Sequence, residues 1–224
     1  DKYNLVTIYE IILELKNIIE EKFKNIPLKS IIISVPGRVN EKNGQLQLSK
    51  QFDKSLFEGE DTILSLFKKY FNCDVKVLND IVLELYGERA QGQLQNEKNA
   101  LLIHIDEGVG SSMVLNGKLY RGEDGYAGEI GLFRINDLYL DEVISLRVLR
   151  EKFNLSSTRE LIEKYHNDLE IQNYCNDSSY KLGKLLKDIQ EFMNLAKIII
   201  TGRVIEFGEK YLNILNDEMS NAYK

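Results

Sequence analysis

Residues 104–131 read HIDEGVGSSMVLNGKLYRGEDGYAGEIG, and the order of signals in this stretch decides the fold. The apolar run Ala100 to Ile105 predicts a strand that ends in a turn carrying Gly108 and Gly110. Ser112 to Leu115 and Lys118 to Tyr120 then flank Asn116-Gly117, the strongest short-range hairpin signal in the chain. Seven of the fifteen glycines fall here, which suggests a backbone wrapped closely around something. A glycine-rich turn after a strand commonly holds an anion on backbone N–H groups. Asp106 and Glu107 oppose that use, since each carboxylate would repel a phosphate about 4 Å away by about 1 kcal/mol even in bulk water.

Outward from this stretch, helix and strand signals alternate. Ile8, Ile11, Ile12, Leu15, Ile18, Ile19 and Phe23 recur at helical spacing and predict an amphipathic helix ending near Pro27. Ile31 to Val35 reads as a buried strand stopped by Pro36-Gly37, and Gly44 suggests a hairpin or loop. A helix opening at Glu60-Asp61 leads to a strand over Val75 to Leu78, with Asn79-Asp80 at the junction with the next helix. Further helices are predicted over Leu138 to Phe153, over Ser157 to His166 behind a Ser157-x-x-Glu160 capping box, and over Ser179 to Leu195. Lys197 to Ile200 reads as a strand, followed by Thr201-Gly202 and a last helix. This alternation, with one hairpin, indicates a layered α/β protein with a mixed sheet.

Composition narrows the function classes. The chain has 224 residues, 43% hydrophobic and 29% charged, with two prolines and no tryptophan, which predicts a packed protein of one or two domains. A net charge of −6 without any Lys/Arg stripe gives no general attraction to nucleic acid. Cys73 and Cys175 are too few for a disulfide framework or a zinc cluster, which fits a reducing cytoplasm. No apolar run is long enough for a membrane span and no signal peptide is evident, so no membrane partner is expected. The first residue is Asp1, which is read as the start of an excised piece of a longer protein.

Several residues could carry chemistry. Asp80 follows a strand, where open α/β sheets place ligand groups, and could serve as a general base; it could equally N-cap the helix Ile81 to Gln91. Glu129 lies between glycines that allow close backbone approach, and reads either as a ligand contact or as a solvated loop residue. His104, inside a strand, and His166, at a helix end, lack partners at metal-ligand spacing and are read as structural.

VLNGKLYRGEDGYAGEIG (Val114 to Gly131) resembles the signature of the ROK family, which groups bacterial sugar kinases and sugar-responsive transcriptional repressors. ISVPGRVN (Ile33 to Asn40), NDIVLELYGE (Asn79 to Glu88) and IIITGRV (Ile198 to Val204) are similar to three further family motifs, in the family's order. The resemblance implies an actin/hexokinase-like, ribonuclease H-like two-lobe α/β fold with mixed sheets flanked by helices. It implies an N-terminal lobe over residues 1–95, truncated at its start, and a C-terminal lobe over 96–224, with a sugar in the cleft between them. Asn79 and Asp80 would hydrogen-bond sugar hydroxyls, with Asp80 as the general base in a kinase. Glu129 would contact hydroxyls from the other lobe, Asp141 aligns with a family glutamate, and Gly37 would shape the turn beside the sugar. Carboxylates and amides suit a sugar because each pairs with hydroxyls at defined geometry.

Departures from the family pattern separate the possible functions. The D-x-G-G-T phosphate loop of the kinases is absent, and the second phosphate loop carries Asp106 and Glu107 before Gly108 and Gly110. Repressors of the family resemble this chain in having an acidic residue there. The family's zinc segment is missing: Leu132 replaces its first histidine, which also touches the sugar in family members, and no cysteine cluster follows. These features imply no ATP, no zinc, no other cofactor and no kinase activity. The first reading is therefore the sugar- or sugar-phosphate-sensing part of a repressor, self-associating, cytoplasmic, and reaching DNA only through a segment outside this chain. A sugar kinase seen as a fragment and a degenerate, non-binding dimerisation domain are the two other readings.

Overall fold

The computed structural model describes residues 2–40, 43–49, 51–58, 60–123, 125 and 127–220. Asp124 and Tyr126 of the glycine-rich stretch thus lie outside the described residues. The chain groups into two compact units, drawn from residues 1–84 with 122–126 and from 85–121 with 127–224.

The first unit opens with α1 (Leu5–Lys22), whose Asn4 cap accepts a hydrogen bond from the Thr7 amide at 3.1 Å. It stops four residues before the sequence Ile26-Pro27, at a Phe23 cap, rather than running to Pro27 as the periodicity suggests. β1 (Ser30–Val35) is followed by β2 (Arg38–Asn40), β3 (Gln45–Leu48), the short α2 (Ser55–Glu58), α3 (Ile63–Tyr70), β4 (Asp74–Asn79) and α4 (Asp80–Ala90), whose residues from Leu85 on are grouped with the second unit. β2 and β3 pair antiparallel across Gly44, and β1 and β4 pair parallel with Val35 beside Asn79. Ile8 and Ile12 of α1, Leu66 and Phe67 of α3, and Val75 and Val77 of β4 share one core. β1 is not the buried strand its composition suggests: Ile31 and Ile33 pack on the core, whereas Ile32 on the opposite face is 54% exposed. Among the described residues β1 pairs with β4 alone, and Ser30, Ile32 and Ser34 on its second face are exposed.

The second unit is built on a four-stranded mixed sheet of order β10-β5-β6-β7. β5 (Ala100–Ile105) is its buried centre, β6 (Val109–Leu115) and β7 (Lys118–Tyr120) run antiparallel, and β10 (Lys197–Thr201) runs parallel to β5. Asn116 and Gly117 both adopt positive φ, at 53° and 76°, as the two-residue hairpin requires. A small ribbon of β8 (Arg134–Ile135) and β9 (Leu138–Tyr139) leads into α5 (Leu140–Ile144), α6 (Leu146–Lys152), α7 (Thr158–Tyr165), α8 (Leu169–Met193) and, after β10, α9 (Glu209–Ser220).

Three helix expectations change here. The helix expected over Leu138 to Phe153 is broken at Ser145, whose extended backbone (ψ 141°) ends α5 and whose side chain caps α6. The capping box of α7 is half formed: Ser157 accepts from the Glu160 amide, but the Glu160 carboxylate turns to Ser156. α8 begins ten residues before the expected Ser179, capped by Asp168. Its early buried face consists of Ile171, Cys175, Ser178 and Ser179, of which only Ile171 carries a strong hydrophobic signal. Ser179 donates to the Tyr211 carbonyl at 2.6 Å, and a Cβ on Gly183 would lie 2.8 Å from the Leu215 carbonyl, so these small residues let α9 approach α8 closely.

Burial pushes the Cys175 thiol up to about 12. At about pH 8 it stays protonated and unreactive. Thiol labelling read by peptide mass spectrometry is expected to modify Cys73 in the native protein and Cys175 only after denaturation.

Candidate functional site

Two clusters emerge, one in each unit. In the first, β1 ends at Val35 and the chain turns through Pro36-Gly37. Gly37 has φ +140°, and a Cβ there would collide with the Leu48 carbonyl, so this turn admits only glycine. Ser49 donates to the Pro36 carbonyl at 2.7 Å and fixes the turn against the end of β3. Asn79, at the carboxyl end of β4, donates through Nδ2 to the Gly37 carbonyl at 2.8 Å and to Asp80 Oδ1 at 3.0 Å. Its Oδ1 accepts from the Ile81 and Val82 amides, so Asn79 supplies the main cap of α4. Asp80 is the first residue of that helix and also accepts from the Ile81 amide at 3.0 Å. Gly37, Asn79 and Asp80 are thereby brought together at the carboxyl ends of two parallel strands, where such sheets present ligand-binding groups.

The second cluster surrounds the loop between β5 and β6. Asp106 folds the loop on itself: its amide donates to the Gly108 carbonyl at 2.9 Å, and its Oδ1 accepts from the Glu107 amide at 2.9 Å. The Asp106 carbonyl accepts from the Leu146 amide at 2.8 Å, a donor that the break at Ser145 makes available. Glu107 pairs with Arg150 Nη2 at 3.2 Å and accepts from the Thr158 hydroxyl. Thr158 opens α7, so this carboxylate stands at the positive end of a helix. Asp141 accepts from the Val109 amide at 2.9 Å through one oxygen and from Arg147 at 3.0 Å through the other. The loop thus offers its Val109 N–H, the kind of donor a phosphate would use, to a carboxylate of its own chain.

Sequence reasoning missed Arg147, Arg150 and Thr158 as partners of these acids. The available signal was two arginines three residues apart on a helical stretch, in a chain whose glycine loop carries two unexplained carboxylates.

Glu129 is exposed and precedes a short 3-10 turn over Ile130–Leu132. The glycines around it have a structural reason. A Cβ on Gly128 would lie 2.9 Å from the Ser111 carbonyl and one on Gly131 would lie 2.7 Å from that of Val109, so the segment lies flat against the β6 backbone. The Ser111 hydroxyl donates to the Gly128 carbonyl and holds it there. Glu129, Asp141 and the loop of Asp106, Glu107, Gly108 and Gly110 all belong to the second unit; Gly37, Asn79 and Asp80 belong to the first.

The two histidines have structural contacts. His104 Nδ1 lies 3.3 Å from the Thr201 hydroxyl on β10, and His166 Nε2 lies 3.3 Å from the Glu206 carbonyl. At the position of the family's zinc-segment histidine, Leu132 presents an exposed hydrocarbon chain with no donor atom. Among the described residues no three of His, Cys, Asp and Glu converge as metal ligands, so this donor set does not fit a zinc ion.

Comparison with known proteins agrees with this architecture. The ROK family pattern matches residues 4–223. The xylose repressor of Bacillus spizizenii is 28% identical over 172 residues, covering 70% of this chain and 45% of that protein. The chain spans about half the length of the curated relatives it matches. Among solved structures, a ROK family transcriptional regulator homologous to the Escherichia coli MLC protein superposes with a TM-score of 0.84 at 18% identity, covering 97% of this chain and 61% of that one. A ROK family glucokinase from Streptomyces griseus, in complex with glucose and AMPPNP, superposes with a TM-score of 0.75 at 17% identity, covering 94% and 77%. At these identities the structural likeness shows a shared fold, the hexokinase-like α/β fold expected from the sequence.

Asp141→Ala leaves the Val109 N–H without its acceptor and is expected to cost about 1–3 kcal/mol in urea denaturation. Asp141→Asn keeps an acceptor oxygen and is expected to cost less than half as much. Equal losses for the two variants would mean that the amide bond does not hold the loop.

Proposed function

This chain belongs to the ROK family, and from that premise we propose that it is the sugar-sensing part of a transcriptional repressor, not a sugar kinase. The observation that carries the reading is the loop after β5. Glu107 and Asp141 place negative charge on it, with Arg150, Arg147 and the Val109 amide already engaged. A nucleotide phosphate would have to displace two internal carboxylates and then sit beside them. That costs more than ordinary desolvation, because like charges at close range repel most strongly where water is scarce.

The sugar-directed groups are retained in this reading. Asn79 and Asp80 present an amide and a carboxylate whose orientation is fixed by Gly37 and the first turn of α4. Their role here is to bind hydroxyls; in a kinase the same Asp80 would take the proton from the attacking hydroxyl. Asp141, whose two oxygens already have partners, serves the loop first. The names of the curated relatives make a pentose such as xylose the first sugar to test. Binding would act by favouring one of two states of the parent protein, through a difference in affinity between them. DNA contact would belong to a part of that protein outside these 224 residues. None of this chain's described helices is long and apolar enough to cross a membrane.

Calorimetry with pentoses, hexoses, N-acetylated amino sugars and their phosphates tests this proposal. One sugar is expected to bind saturably, and Asp80→Asn to weaken it by about tenfold or more. Absence of heat for the whole panel would instead favour a dimerisation domain that binds no sugar. Sugar-dependent ATP consumption would restore the kinase reading.

A further inference from the structure

The cluster around Glu129 opens on a cavity whose lining a bare sugar does not match. Its volume is about 430 Å³, within the range of small-molecule sites, roughly 300–1,000 Å³. Ser111, Gly128 and Glu129 form part of its wall, so it is continuous with the segment that lies flat against β6. Most of the wall is of another kind. Leu185, Ile189 and Met193 line it at four-residue intervals along α8, as one apolar ridge. Met113 of β6, Phe133 and Phe192 line it too, and Phe192 is left 87% exposed.

The polar side chains in this wall are all acceptors. The Ser111 hydroxyl donates to the Gly128 carbonyl, which leaves its oxygen to accept. Glu129 and Asp188 are carboxylates, which accept only when ionised. Among the described residues no lysine, arginine or histidine lines the cavity, and Lys184, one turn before Asp188, is held at the Tyr180 hydroxyl.

A ligand here must therefore bring donors, as hydroxyls do, together with apolar surface. A phosphate brings neither. A free pentose or hexose carries hydroxyls on every side, and those turned toward Leu185, Ile189 and Met193 would lose water without finding an acceptor. A sugar with one oxygen capped by a hydrocarbon group matches both halves of the wall, hydroxyls for the carboxylates and hydrocarbon for the hollow.

We propose that the sugar this protein recognises is a glycoside with an apolar aglycone, and that the cavity beside Glu129 holds the aglycone. The inference rests on the sugar-sensing reading above and on the hydroxyl contact that the family resemblance implies for Glu129.

Paired glycosides test it: methyl and phenyl xylosides and glucosides, of both anomers, followed by calorimetry and by the methyl signals of protein labelled with ¹³C-methyl methionine. The chain has three methionines. Met113 and Met193 line the cavity, whereas Met219 packs on the same core without lining it. A phenyl glycoside is expected to bind about tenfold more tightly than its methyl counterpart, from the extra apolar area removed from water. It should shift the Met113 and Met193 signals and leave Met219 in place. Ile189→Trp, which fills the hollow, should erase the difference within each pair. Phe192→Ala, at an exposed side chain that the core does not use, should reduce it, with circular dichroism as the control for folding. If a sugar binds but its phenyl glycoside gains nothing over the methyl one, the inference is overturned and the sugar-sensing reading stands. A preference for phenyl that leaves both methionine signals unmoved, or that survives both substitutions, overturns it as well. If no sugar and no glycoside binds, the sugar-sensing reading falls and this inference with it.

Discussion

The hydrogen bond from the Val109 amide to Asp141 constrains most of the second unit's functional face. It ties the start of β6 to α5, across 32 residues of sequence. Asp141 in turn is held by Arg147 on α6, while Glu107, two residues before Val109, is held by Arg150 on the same helix and by Thr158 at the start of α7. Three consecutive helices therefore converge on one glycine turn. Their positive charges and donors are answered by carboxylates of the protein itself, which is the ground of the proposal that the turn is closed to an external anion. Each pair is partly solvated and individually modest, but the amide bond is the costly one to leave unmade.

Much of the fold was legible in the sequence because its signals are local. Asn116-Gly117 demands positive φ at two adjacent residues, and the apolar run of β5 allows only a central strand. The elements whose local signal differs from the fold depend on distant partners. Ser145 breaks an otherwise continuous helical pattern because Leu146 bonds the Asp106 carbonyl, forty positions earlier in the chain. The first ten residues of α8 give a weak apolar pattern because their buried positions are Ile171, Cys175 and Ser178, and Ser178 is there to meet the Tyr211 hydroxyl of α9. β1 looked buried because three successive isoleucines satisfy a strand's preference on both faces, although only one face meets the core.

The candidate site was legible in its residue types and less so in their duties. Asn79 and Asp80 stand together at the strand end as their sequence position suggests, yet the capping role considered for Asp80 falls mainly to Asn79. The glycines flanking Glu129 were correctly marked as places of close approach, but what approaches them is the β6 backbone. Asp141 is marked by its alignment with a family glutamate, and the fold adds that both of its oxygens have partners in the loop and on α6. One sequence shows that a carboxylate is present; only the fold shows what it already holds.

The central claim is that the glycine turn after β5 is closed to nucleotide by the protein's own carboxylates. Titrating magnesium ATP into the ¹⁵N-labelled protein, while following the amide signals of Gly108, Val109 and Gly110, tests this most directly. At nucleotide concentrations that saturate ordinary kinases, these three signals are predicted to stay where they are. A saturable shift of the Val109 amide that depends on the nucleotide's phosphates would contradict the account.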